Sequence, residues 1–201
     1  LSEDGTGISF NNETYGKVLN TVKDLHDKGY TSVDGDDPGQ LFKSGQMVFW
    51  PEGIWMKNSL LEIDTLNFGM THFIQFDAAK RGNWTSSHQM VMIKNPKMTD
   101  ERAAAIMDFV KWVGENSIEW AKAGQVPACL KILENDEFKQ MDQSFLLEDT
   151  NSLVIHDYKY YGYAVEALDK IVFEAIFGRM DTKEALDQAV KETADRIAAG
   201  Q

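Results

Sequence analysis

Three apolar runs, QMVFW at 46–50, LNFGMTHFI at 66–74 and QMVMI at 89–93, lie between longer segments in which apolar residues return at helical spacing. This alternation constrains the fold more than any other feature of the chain. Short apolar runs of this kind read as strands, interrupting the helical patterns that dominate the chain.

The helical segments are legible from their periodicity and their caps. Tyr15, Val18, Leu19, Val22 and Leu25 predict an amphipathic helix with Asn11 or Asn12 as N-cap and Gly29 as its stop. TSVDGDDPGQ at 31–40 reads as a loop, with Pro38 suited to the first turn of a short helix ending at Gly45. A second short helix is expected over 54–63. Ala103, Ile106, Met107, Val110 and Val113 make the apolar face of a helix running from Thr99, with Asp100 and Glu101 at the positive end of its dipole. NSIEWAKAG at 116–124 predicts a shorter helix capped by Asn116 and stopped by Gly124. Two long helices, 161–177 and 182–198, flank Gly178, and Asp181 with Glu184 reads as a capping box. The stretch DEFKQMDQSFLLEDTN at 136–151 is ambiguous, and 75–87 reads as a polar loop.

Composition bounds what such a chain does. With 201 residues, 43% apolar and 26% charged, it can bury a core as one large or two small domains. A net charge of −12 repels phosphate backbones, which argues against nucleic acid as a partner. The single cysteine, Cys129, leaves no intramolecular disulfide and no CxxC site. LSEDGTGISFNNE at the start does not read as a signal peptide, and no apolar run approaches the roughly 18 residues that span a membrane.

Catalytic motifs find little support. His26, His72, His88 and His156 are scattered and form no HExxH pair, and neither a GxSxG elbow nor a P-loop is present. DGDDPG begins like a calcium loop, but Pro38 and Gly45 stand where the fifth and twelfth ligands belong. YKYYGY at 158–163 admits a ferric-phenolate reading through Tyr160 and Tyr161, against a plain aromatic-rich helix start, and no second anionic ligand is identifiable nearby. Asn83 in NWT is formally a glycosylation acceptor. Glu52 as a glycosidase acid would need a partner carboxylate for which the sequence offers no special candidate. Neither metal nor cofactor is expected.

Two aromatic clusters point instead to binding. WPEGIW at 50–55 and NWTSSHQ at 83–89 combine indoles with carboxylate, amide, hydroxyl and imidazole groups. Indole faces stack on the apolar faces of pyranose rings, and the polar groups take the hydroxyls. From composition alone Trp50, Trp55 and Trp84 read more readily as ordinary core aromatics.

The order of the segments adds to this. LHDKGY, LFKSGQMVFWPEGIW, LNFGM, SSHQMVMIKNPK, ERAAAIMDFVKWV, WAKAGQVPACLKIL and EAIFGRMDTKEALDQAVKE together resemble the C-terminal half of family 1 extracellular solute-binding proteins, the maltose-binding-protein-like sugar-binding components of ABC importers. The resemblance implies a periplasmic-binding-protein-like α/β fold (type II) of two lobes with hinge crossings. Residues 1–64 and 131–201 would belong to the C-terminal lobe, 65–71 to a hinge strand and 72–130 to the N-terminal lobe. By position it places Gly53 and Trp55 on the family's NGPW stretch, with Glu52 in place of the usual Asn and Trp55 as the stacking platform while Trp50 points to the core. SSHQ stands where the family often has GGWG, so Ser86, Ser87, His88 and Gln89 offer side chains in place of bare backbone, with Ser87 and His88 expected to hydrogen-bond the ligand. AGQVPA adds Gln125 and Pro127, and Tyr160 and Tyr161 fall near a family aromatic that stacks on sugar. Trp84 joins the set through NWTSSHQ.

The implied protein is not an enzyme. It is an extracellular or periplasmic component that passes a carbohydrate to ABC permease subunits, membrane-associated through a lipid anchor absent from these 201 residues. As a half of such a protein it is expected to bind sugar at best in the millimolar range and to be prone to oligomerisation through unpaired apolar edges. A carbohydrate-active enzyme and a metal-binding transport protein using Tyr160 and Tyr161 are the alternative readings.

Overall fold

A computed structural model describes residues 8–155 and 158–200. His156 lies outside the described residues. Among the described residues nine α-helices follow in order: α1 (Glu13–Asp27), α2 (Pro38–Lys43), α3 (Lys57–Leu61), α4 (Asp100–Glu115), α5 (Ile118–Lys122), α6 (Leu130–Leu133), α7 (Asp136–Lys139), α8 (Tyr161–Ile176) and α9 (Thr182–Ala199). Contacts divide the chain into two compact units, one of residues 1–41 with 156–201 and one of residues 42–155.

The first unit is a helical packing of α1, α8 and α9. Asn12 is the N-cap of α1, its side chain accepting the Tyr15 amide at 3.1 Å, and Gly29 ends the turn at φ 73°. Ala164, Ala167, Ile171 and Ala175 of α8 are buried with Ala185, Leu186, Ala189 and Thr193 of α9. These residues recur at three and four positions, so each helix turns a narrow stripe inward. The many alanines let the two backbones approach closely. Leu19 of α1 and Phe10 complete the same core. Thr193, wholly buried, donates its hydroxyl to the Ala189 carbonyl at 2.8 Å and so brings no unsatisfied group into it.

The turn between α8 and α9 passes through Gly178 at φ 72° and Asp181, whose carboxylate accepts the amides of Lys183 at 2.8 Å and Glu184 at 3.3 Å. Asp181→Ala is expected to cost about 0.5–2 kcal/mol of stability through loss of this cap, read as a lower urea midpoint with unchanged slope. A midpoint equal to that of the parent would show that the cap carries no stability.

The second unit holds the expected strands, and there the structure departs from the periodicity. Residues 46–50, 66–74 and 89–93 are not in any ladder. Among the described residues the sheet is a two-stranded parallel one, β1 (Asn83–Trp84) with β2 (Leu153–Val154), in the register Asn83↔Leu153 and Trp84↔Val154. β1 falls inside the segment expected to be a polar loop. A strand exists only by virtue of a neighbour at hydrogen-bonding distance, and among the described residues the three apolar runs have none. Val48, Phe49, Phe73, Ile74, Met90, Val91 and Ile93 are all more than half exposed as a result.

Other differences are local. Asn116 does not cap α5; its side-chain amide donates to the Trp112 carbonyl at 2.8 Å and closes α4. The helix expected over 54–63 begins as a 3-10 turn, Ile54–Met56, before α3. The ambiguous stretch resolves into α7 followed by 3-10 turns over Asp142–Ser152, broken at Asp149 with φ −129° and ψ 48°. No helix among the described residues is long and apolar enough to cross a membrane.

Candidate functional site

The turn 50–57 is organised by its glycine. Trp50 packs on Phe42 with ring centroids 5.6 Å apart and is half-buried, whereas Trp55 is 56% exposed. The Trp55 indole folds back over Gly53. A Cβ at residue 53 would lie 2.0 Å from both Cη2 and Cζ3 of that ring, so only glycine admits this placement. The Glu52 carboxylate accepts the Gly53 amide at 2.7 Å, which stiffens the same turn. The result is a large aromatic side chain resting on its own backbone and left accessible.

This turn abuts the loop after α5. Gly124, at φ 93°, lies so close to it that an added Cβ would stand 3.3 Å from the Ile54 carbonyl oxygen and 3.3 Å from Lys57 Cβ. Asn58 donates to the Lys122 carbonyl at 3.2 Å, and Lys57 Nζ donates to Gln143 Oε1 at 2.9 Å. Gln125, half-buried, donates its backbone N–H to the Trp120 carbonyl at 3.3 Å, and Pro127 is buried. The Lys122 ammonium donates to the Glu119 and Glu137 carboxylates, and these hydrogen bonds raise its pKa.

Trp120 extends the neighbourhood to His88. The imidazole meets the indole edge-on at 5.6 Å, with 77° between ring planes, and both side chains are substantially exposed. Ser87 is exposed and donates its hydroxyl to the His88 carbonyl at 3.2 Å; Ser86 and Gln89 are exposed as well. Glu52, Gly53 and Trp55, the Gln125 loop and His88 thus belong to one connected set of contacts. Trp120, which sequence reasoning placed only within a helix, links them.

Trp84 belongs to a second set of contacts. It is 61% exposed on β1, which is held by polar contacts. Asn83 donates to Ser152 Oγ at 2.7 Å, Gln75 donates to Asn83 Oδ1 at 2.8 Å and accepts the Gly82 amide at 2.8 Å, and Arg81 pairs with Asp149 at 2.6 Å.

Tyr160 and Tyr161 lie in the other compact unit, at the start of α8. Tyr160 stacks on Tyr163 at 6.0 Å, meets Tyr158 edge-on at 6.2 Å, and carries Lys159 Nζ 5.0 Å from its ring centroid. The Tyr158 hydroxyl is buried without a hydrogen-bond partner among the described residues, and burial, then the neighbouring Tyr160, raises its pKa. In the loop weighed for calcium, Asp36 accepts the Val33 amide and Asp37 accepts the Gln40 amide, each at 3.1 Å, so both carboxylates serve as backbone caps.

The chain is of the class that captures a ligand for transport, because the family model of bacterial extracellular solute-binding proteins matches residues 1–167. It belongs to that family. Among curated proteins none matches it. Family membership brings a fold of the periplasmic-binding-protein-like class, an extracellular or periplasmic setting, and a role in handing ligand to a membrane permease. The family is generally non-enzymatic.

Proposed function

We propose that the protein is the carbohydrate-binding component of an ABC importer, with Trp55 as the stacking platform for a sugar ring. The observation that carries this reading is the Trp55 indole, 56% exposed and seated on Gly53. A pyranose offers one apolar face and a rim of hydroxyls, and a flat, preplaced indole matches the face at little cost in side-chain entropy. His88, Ser87, Gln125 and Glu52 supply donors and acceptors for the rim. Trp84, Tyr160 and Tyr161 are further stacking surfaces in this proposal. So is the division into a lobe of 1–64 with 131–201, a crossing at 65–71 and a lobe of 72–130 that closes on the ligand.

A thermal-shift screen against mono- and oligosaccharides tests it. Ligand at about a hundred times its Kd stabilises a protein by roughly 2.7 kcal/mol, so a panel at high millimolar concentration detects weak binders. A melting temperature raised by one sugar and not by its epimers, with titration to saturation, supports the reading. No shift with any carbohydrate, or release of reducing sugar during incubation, overturns it.

A further inference from the structure

Gln143 is a polar side chain with no exposed surface, and both ends of its amide are hydrogen-bonded. Nε2 donates to the Ala121 carbonyl at 2.7 Å and to the Gln125 carbonyl at 3.3 Å, while Oε1 accepts from Lys57 Nζ at 2.9 Å. Lys57 is itself largely buried, at 12% side-chain exposure, with Asp142 as counter-charge at 3.2 Å. The three partners belong to three pieces of the candidate site: α3 immediately after the Trp55 turn, the end of α5, and the Gln125 loop. A primary amide is the side chain that presents donors and an acceptor at one head. Glutamate would turn a carboxylate toward two carbonyl oxygens, and methionine would leave all three partners without it.

We propose that Gln143 is the positioning residue of the Trp55 platform: its amide bridge fixes the 53–57 turn against the Gln125 loop, so that the indole and the polar groups face one ligand together. The inference rests on the carbohydrate-binding reading for its functional consequence, though not for the bridge. Gly124 and Asn58 bring the two segments into contact. Gln143 sets their relative position from beneath, through polar groups that are costly to leave unpaired when buried.

Two variants test it in the full chain. Gln143→Met keeps length and volume and removes every polar contact. Gln143→Glu keeps the acceptor for Lys57 and loses both donors until its carboxyl is protonated; Lys57 and Asp142 are charged groups beside it, and α5 and its following loop present carbonyls. The expected result for Gln143→Met is about tenfold faster amide exchange in 53–57 and 121–125, and carbohydrate binding weakened by about the same factor, as for one or two lost net hydrogen bonds. In Gln143→Glu both defects are present at neutral pH and partly reversed as the pH falls and the new carboxyl gains a proton to donate to Ala121. The parent is expected to lack that profile in these segments. A merely structural role would lower the melting temperature of both variants without such a pH profile. Should Gln143→Met fail to fold, Lys57→Met removes one arm of the bridge and is expected to loosen 53–57 more than 121–125. Unchanged exchange in both segments of the folded variants overturns the inference. Failure of the carbohydrate reading shows separately, as absence of binding by the parent, and the exchange measurements then still decide the bridge.

Discussion

Trp55→Ala is expected to weaken carbohydrate binding by roughly 2–4 kcal/mol, the range for truncating an aromatic anchor, so that a titration which saturates for the parent no longer does so. Stability should move by no more than about 0.5 kcal/mol, because a side chain that is 56% exposed has little burial to lose. The companion variant is Gly53→Ala. Its methyl group would stand 2.0 Å from the indole, so the ring must swing away while remaining in the protein. It is expected to impair binding nearly as much as loss of the ring and to change the tryptophan emission. Parent-like binding in Trp55→Ala would remove the platform, and parent-like binding in Gly53→Ala alone would show that the seating of the ring is immaterial.

The second large effect lies away from the site. Phe138→Ala is expected to cost about 3–5 kcal/mol, as for truncation of a buried phenylalanine. Phe138 has no exposed surface, although it sits in α7, a helix of only four residues. So short a helix has no stability of its own. The Asn135 side chain caps it, accepting the Glu137 amide at 2.8 Å, and the ring anchors it in the 42–155 unit. Urea unfolding followed by helical circular dichroism should show this unit melting at lower denaturant while α1, α8 and α9 persist. A cost below about 1 kcal/mol would mean that the unit closes over the vacated space.

The parts of the fold governed by local rules were legible. Asn12 and Asp181 each cap the helix expected of them, Thr99 caps the helix expected to start at it, and α1, α4, α8 and α9 form where helices were expected, although α4 buries no residue and Met107 of its expected apolar face is 54% exposed. The apolar runs failed as strands because pairing is a property of two segments, and 46–50 carries no information about what lies beside it. β1 was missed for the converse reason, since Asn83 and Trp84 pair with residues seventy positions further along. Composition singled out WPEGIW, but not the fold-back of Trp55 onto Gly53. Gln143 gave no signal in a stretch of mixed polar and apolar residues, because nothing local distinguishes a buried amide from a solvated one. Trp120 was visible as a helix residue only, and its contact with His88 joins positions thirty-two apart.

The first compact unit is discontinuous: α1 reaches α8 and α9 only after residues 42–155 have been threaded between them. The α8–α9 pair is a local hairpin joined by a short turn through Gly178 and can form as soon as it is synthesised. Docking α1 onto it closes a loop of more than a hundred residues, an entropic cost of roughly 4 kcal/mol by the logarithmic law for flexible chains. Prior collapse of the 42–155 unit shortens the effective loop and lowers that cost. The helical unit is therefore expected to acquire α1 only after the α8–α9 hairpin and the inserted unit have formed.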